Sequence, residues 1–306
     1  MTDLQTPVLL LTYNRLAALP DQIRVLKQLK AKKIYISSDG PKKNQKEDFH
    51  KVIDIRNYIE EKIDWECEVY TNYNSSNLGC KTAVDSAIKW FFSSENQGII
   101  LEDDILPTIN FFHFMSDGLK KYAHDKSISS LSGRNDLSLF DSDSDIIFSS
   151  KFFCWGWASW SNRLMDINLN LPRSDKNTSK LLKDTTFFEY FHLKGIIGLL
   201  KHRQVSSWAY EYDLFFREKK LYQIIPSKNM VINKGFDIPG AHSEGQNQEN
   251  CVVYHDFKPV IEKNLTIAKN KDFINKYVLK KYRGLVRLIL FSNTMLYQSI
   301  KKLIKS

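Results

Sequence analysis

The sequence predicts an α/β fold built on a mainly parallel sheet with helices on both faces. Two patterns in the first hundred residues carry that expectation. Short apolar runs alternate with longer segments whose apolar residues recur at helical spacing. The last of these runs, Gly98 to Leu101, passes without a break into three acids, Glu102-Asp103-Asp104. Size agrees: 306 residues, 42% of them hydrophobic, can bury one large core or two packed closely together.

The elements follow in order. Residues 8–12 (VLLLT) read as a first strand, and 16–30 as a helix with Leu16, Leu19, Ile23, Leu26 and Leu29 on one face. Residues 33–38 (KIYISS) form a second strand that ends in Asp39-Gly40-Pro41, a turn signal. A helix over 45–63, a strand over 67–71 and the polar loop NYNSSNLG lead to a helix from Cys80 to about Ser94. Beyond about residue 145 the chain is less regular and richer in aromatics. It contains FFCWGWASW (152–160), a helical region near 187–203 and SWAYEYDLFF (207–216). The strand-like YQII (222–225) follows, then a Gly- and Asn-rich loop that ends near His242. The expected organisation is one globular unit over 1–262, with halves 1–145 and 146–262, followed by a basic helical extension over 263–306.

Charge narrows the partners. A net charge of +9 points to a polyanion, whether nucleic acid, anionic lipid or a phosphate-bearing substrate. Nucleic acid is the poorest fit, because in the last forty residues Lys and Arg interleave with aliphatics instead of forming a solvated groove. That stretch holds Lys276, Lys280, Lys281, Arg283, Arg287, Lys301, Lys302 and Lys305 among Leu285, Val286, Leu288, Ile289, Leu290 and Phe291. It reads either as a basic amphipathic helix for an anionic membrane surface or as a helix packed on the rest of the chain. No apolar run approaches the roughly 20 residues needed to span a bilayer, and the N-terminus lacks a signal-peptide pattern. The expected location is the cytoplasm, peripheral to the inner face of the membrane. Cys67, Cys80, Cys154 and Cys251 are scattered and suggest neither a zinc site nor a disulfide framework.

The acidic triplet is the sharpest chemical signal. It lies at the carboxyl end of a buried strand, where open α/β sheets bind ligands. Three adjacent carboxylates repel one another and are tolerated when solvated or when a hard cation such as Mg²⁺ or Mn²⁺ neutralises them. An ordinary acidic turn is the alternative. Asp39 can accept hydrogen bonds from a base or ribose, or cap its own turn. Arg15, just beyond the first strand, suits a phosphate, or is simply a surface residue at a helix start.

Taken in order, LLLTYNR, SSDGP, SNLGC with a helix ending WFF, GIILEDD and WGWASW resemble the GT-A superfamily of nucleotide-sugar glycosyltransferases. More narrowly, they resemble bacterial relatives of the N-acetylglucosaminyltransferase I family, over roughly residues 7–245. The resemblance implies that Asp104 ligates a Mn²⁺ or Mg²⁺ ion bridging the phosphates of a nucleoside-diphosphate sugar, with His242 near the diphosphate or in the metal shell. It implies that the sugar donor is held by Thr12, Asn14, Arg15, Asp39, Asn77, Gly79, Lys81, Glu102 and Asp103. A divalent cation together with Arg15 would offset the charge that builds on the leaving diphosphate. An inverting member also needs a base for the acceptor hydroxyl, which the family places shortly after a Trp at a helix start. Here Ala209 stands directly after Trp208, a departure from that pattern, and Glu211 comes before Asp213 as the candidate base. Trp155, Trp157 and Trp208 are candidate acceptor-binding rings, and for the WGWASW rings Trp155, Trp157 and Trp160 core packing is the alternative. The implied activity is transfer of a hexose or N-acetylhexosamine to a glycan or lipid-linked acceptor, as in lipopolysaccharide or capsule synthesis. A sugar nucleotidyltransferase and a binding domain without turnover are the rivals.

Overall fold

The computed structural model describes residues 3–137, 144–169, 181–183, 185–237, 252–261 and 268–293. Strands β1 (Val8–Thr12), β2 (Lys33–Ser38), β3 (Glu68–Tyr73) and β4 (Gln97–Glu102) are joined through helices α1 (Leu19–Gln28), α2 (Lys46–Lys62) and α3 (Cys80–Ser94). All four strands run parallel, in the order β3-β2-β1-β4. The order reverses about β1, so a crevice opens at the carboxyl ends of β1 and β4.

Among the described residues, six further strands complete the fold, four of them extending this sheet. They are β5 (Ile105–Pro107), β6 (Ile128–Ser132), β7 (Ile146–Ser149), β8 (Trp157–Trp160), β9 (Tyr222–Pro226) and β10 (Val231–Asn233). The eight-stranded order is β3-β2-β1-β4-β8-β6-β9-β7, and β5 pairs with β10 in a separate two-stranded sheet. Strand β8 runs antiparallel to β4 and β6, and β7 antiparallel to β9. The other strands share one direction, which gives the mainly parallel sheet expected, with two reversed strands that short aromatic runs did not reveal. Its helices are α4 (Ile109–Lys121), α5 (Ser161–Leu164), α6 (Phe187–Lys201), α7 (Trp208–Glu218), α8 (Ala268–Tyr282) and α9 (Leu285–Ser292).

Side chains alternate along the central strands and so build two cores. Val8, Leu10, Ile34, Ile36, Ile99 and Leu101 pack on one face with α1, α2 and α4. Leu9, Leu11, Tyr35 and Ile100 pack on the other, with Phe91 of α3 and Trp208, Tyr212 and Phe216 of α7. Both faces of β1 are covered, which is why its first four residues, Val8 to Leu11, read as one unbroken apolar run. Helix α1 starts at Leu19, with Pro20 in its first turn, rather than at residue 16. Leu16 precedes it and is 46% exposed, so it does not share the buried face.

The described part of the basic C-terminal segment, residues 268–293, packs on the rest of the fold. Phe273, Ile274, Tyr277 and Val278 of α8 are buried against Ile147, Phe153 and Ile225. Phe291 of α9 is buried with Leu193 and Ile196 of α6, and His192 Nδ1 lies 2.8 Å from the Tyr282 hydroxyl. The packing alternative therefore holds for α8 and for the inner face of α9. The outer face still exposes Leu285, Val286 and Ile289. Among the described residues no helix is long and apolar enough to cross a membrane.

Candidate functional site

A cleft of about 840 Å³ lies over the carboxyl ends of β1 and β4, and its two walls differ in charge. The acidic wall is the Glu102–Asp104 triplet. Its backbone is pinned from beneath by the buried carboxamide of Gln22, which donates to the carbonyls of Glu102 (2.7 Å) and Ile105 (2.5 Å). Ala18 N–H donates to Asp103 O, and Lys234 N–H to Asp104 O. Gly235 lies close to the triplet: a Cβ there would meet Asp104 Oδ2 at 2.5 Å and displace that carboxylate. Arg15 donates to Asp103 Oδ1 at 2.8 Å and lies 3.5 Å from Asp104 Oδ2.

One guanidinium for three carboxylates leaves negative charge in excess. Burial, then Asp104 and Asp103, push the Glu102 carboxyl well above its usual range. Burial raises Asp103 to about 6 against the pull of Arg15, and it raises Asp104 in the same way.

Beside the acids, Asp39 organises the polar loop before α3. It accepts from Gly40 N, Leu78 N, Asn74 Nδ2 and Asn77 Nδ2 at 2.9–3.3 Å. Gly40 permits this closure, since a Cβ would fall 2.4 Å from the Ser76 backbone. Asp48 of α2 does the same for the loop after β1, accepting from Tyr13 Oη and Asn14 Nδ2 (2.6 Å each) and from Lys42 N (2.7 Å).

The opposite wall is basic and aromatic. Arg134, just after β6, is held by a bidentate pair with Asp136 (2.6 Å each) and lies 3.4 Å over the Trp155 ring. Lys151 comes from the β7–β8 connection and Lys281 from α8. Their ammonium groups stand 5.5 and 5.9 Å from the centre of the Tyr277 ring. Burial lowers the proton affinity of Lys151 against the pull of Asp213. Burial and Arg134 bring Lys281 down to about 8.

Thr12, Asn14, Arg15, Asp39, Asn77, Gly79, Glu102, Asp103, Asp104 and Trp155 all line this cleft. The other expected site residues are elsewhere. Lys81 is turned to Glu211 at 3.2 Å and to Leu169 O at 3.3 Å, and neither Lys81 nor Glu211 is part of the lining. Asp213 is 1% exposed. It accepts from Phe152 N at 2.7 Å and Arg217 Nε at 3.3 Å, so it braces α7 against the chain entering β8. Trp157 and Trp208 are 0% and 4% exposed in the second core, which gives them packing work and corrects their expected place on an acceptor wall. His242 lies outside the described residues. Sequence reasoning missed Arg134, Lys151, Tyr210, Tyr277 and Lys281. A cation directly after a strand, in Gly133-Arg134-Asn135, was the one local signal available.

The acidic wall suits a hard cation through its chemistry: all-oxygen ligands, surplus negative charge, and an Asp104 side chain 17% exposed. Among the described residues no group of three or more His, Cys, Asp or Glu side chains is placed to hold a metal ion. An ion at Asp104 would therefore complete its shell with phosphate or water, as Mg²⁺ commonly does.

No protein-family model matches the chain, and neither does any curated protein. One of the similar solved structures is described as a glucose-1-phosphate thymidylyltransferase from Bacillus anthracis in complex with a sucrose. It is 10% identical, with a TM-score of 0.33, over 55% of this chain and 76% of that one. A likeness that slight carries no argument about the site.

Proposed function

We propose that the protein is a metal-dependent glycosyltransferase of GT-A type that moves a sugar from a nucleoside-diphosphate sugar to a glycan or lipid-linked acceptor. One observation carries the reading. Arg15, the Asp39 loop and the Glu102–Asp104 triplet come from separate segments, yet all line one cleft at the reversal point of a parallel sheet.

In this reading Asp104 holds a divalent cation, which supplies charge neutralisation to the sugar donor's diphosphate. Arg15, poised between Asp103 and Asp104, swings or stays to pair with a phosphate oxygen. The loop ordered by Asp39 offers Asn77 and Gly79 to the nucleoside end. The acceptor oxygen then attacks the anomeric carbon, the bond to the diphosphate breaks, and the hydroxyl proton passes to a base.

Asp213 is poorly suited to that proton. Burial raises its proton affinity, but Arg217 and Lys151 outweigh the effect and hold its carboxyl below the usual range. Glu211 becomes available only if its pair with Lys81 opens. Glu211→Gln slowing transfer about 100-fold with unchanged affinity for the sugar donor assigns the base to Glu211, whereas unchanged turnover removes it.

A second reading, sugar nucleotidyl transfer, is favoured by the basic wall, which also suits a sugar phosphate. The product separates the two. Metal-dependent release of a nucleoside diphosphate from a nucleotide sugar supports the transferase. Pyrophosphate released from a nucleoside triphosphate and a sugar 1-phosphate supports the nucleotidyltransferase. Binding without turnover of either kind would leave a degenerate domain.

A further inference from the structure

We infer that the basic wall of the cleft is a subsite for an oxyanion, phosphate or carboxylate, carried by the acceptor and received among Lys281, Lys151 and Arg134. The inference rests on the reading above, in which the sugar donor takes the acidic wall.

Charge is the first argument. Four cations, Arg134, Lys151, Arg217 and Lys281, are gathered here with three carboxylates, Asp136, Asp213 and Glu189. Arg134 takes Asp136 in a bidentate pair, and Arg217 takes Glu189 and one oxygen of Asp213. Lys151 has the other Asp213 oxygen at 3.8 Å, too long for a hydrogen bond, and donates a long one to the Phe152 carbonyl at 3.5 Å. Lys281 makes no ion pair among the described residues: Asp136 and Asp213 act on it only from beyond pairing distance, and its ammonium rests over the rings of Tyr210, Tyr277 and Tyr282 at 5.7–5.9 Å. Cation–π contact offsets only part of the cost of desolvating an ammonium. An anion entering the cleft would supply the rest.

Position is the second argument. Lys281, Lys151 and Arg134 line the same cleft as the acidic triplet. They arise after β6, between β7 and β8, and from α8, elements on the far side of β8 from β1 and β4. The sugar donor's diphosphate already has Arg15 and a cation site on its own wall. A second group of cations across the cleft therefore points to a second anion. A sugar acid or a phosphorylated sugar of the acceptor meets that requirement, and a neutral sugar does not.

The test uses the full chain with UDP and Mg²⁺ present, and three probes that share one ring: glucose, glucuronate and glucose 6-phosphate. Calorimetry or NMR titration is expected to show binding of a charged probe with UDP still bound, and none of glucose. Whichever charged probe binds more tightly identifies the anion. Lys281→Met and Lys151→Met are each expected to weaken that binding about tenfold, and Lys281→Arg to restore most of it, with melting temperatures checking the fold. Competition between the charged probe and UDP would overturn the inference. So would binding of glucose equal to that of its charged forms, indifference to Lys281→Met, or binding of neither charged probe. If neither UDP nor any other nucleoside diphosphate binds but glucose 6-phosphate still depends on Lys281, the subsite stands and the transferase reading falls.

Discussion

The two walls of the cleft carry opposite charge and are built in opposite ways. The acidic wall is local: three consecutive carboxylates at the end of one strand, with Arg15 reaching across from the neighbouring strand. The basic wall is assembled from Arg134, Lys151 and Lys281, which are separated along the chain by most of the second half of the molecule. Each wall is left with charge of one sign in excess, and burial disfavours that charge on both sides. Surplus carboxylate calls for a cation, and surplus ammonium for an anion. The difference is what the proposed reading uses, with a cation and sugar donor on one wall and an anion on the other.

Scaffold residues should affect both walls alike. Trp157→Ala, which hollows the core beneath β8, should cost about 3–5 kcal/mol in a denaturant titration and weaken UDP and glucose 6-phosphate together. Selective loss of one ligand would mean that Trp157 serves a wall after all. Arg15→Met should weaken UDP by about 10- to 100-fold and leave glucose 6-phosphate unchanged in calorimetry. An equal loss of both would merge the walls into one site.

Lys281 makes the comparison sensitive to pH. It is faced by Arg134 and Asp136 beyond β6, Lys151 before β8, Tyr210 and Asp213 on α7, His192 on α6 and Tyr277 on its own helix. Its folded value of about 8 lies below that of an ordinary lysine. The folded chain therefore binds fewer protons than the unfolded chain between that value and the ordinary one. The stability penalty is fully present below pH 8 and is relieved as pH rises above it. Anion affinity should move the other way, declining by a few-fold from pH 7 to 9. Lys281→Met should flatten both trends, and a profile unaltered by that change would assign them to another group.

The smallest expected effect concerns the outer face of α9, where Val286 is 73% and Ile289 43% exposed beside Arg283 and Arg287. The expected contact with an anionic membrane surface is tested on this face. Val286→Glu with Ile289→Glu should lower flotation with phosphatidylserine vesicles by about 2 kcal/mol or less and leave UDP binding alone. Unchanged flotation would remove the membrane role.

How much was legible follows from the same contrast. Strands β1, β2 and β4 and helices α2 and α3 stand within a residue or two of their expected bounds, because burial on both faces or on one helical stripe writes a periodic signal. The acidic wall was readable because its groups are neighbours in sequence. The reversal of β7 and β8 was not, since a four-residue apolar strand bears no mark of direction. Trp157 could be read as a binding ring or as core and Trp208 was read as a binding ring, and only the packing of α7 on the sheet places both in the core. Lys281 resembled every other lysine of the basic tail until α8 docked and turned that one toward Tyr277 and the cleft.

The central claim, that the acidic wall takes a metal-bridged sugar donor, is tested most directly by screening nucleotide sugars for thermal stabilisation and hydrolysis. Wild type and Asp104→Ala are compared with and without Mn²⁺ or Mg²⁺. The account predicts at least one nucleotide sugar that stabilises and is hydrolysed by the wild type only when metal is present, with both responses lost in a folded Asp104→Ala protein. Metal-independent binding that survives Asp104→Ala, or no response to any nucleotide sugar from a folded, metal-supplied wild type, would contradict it.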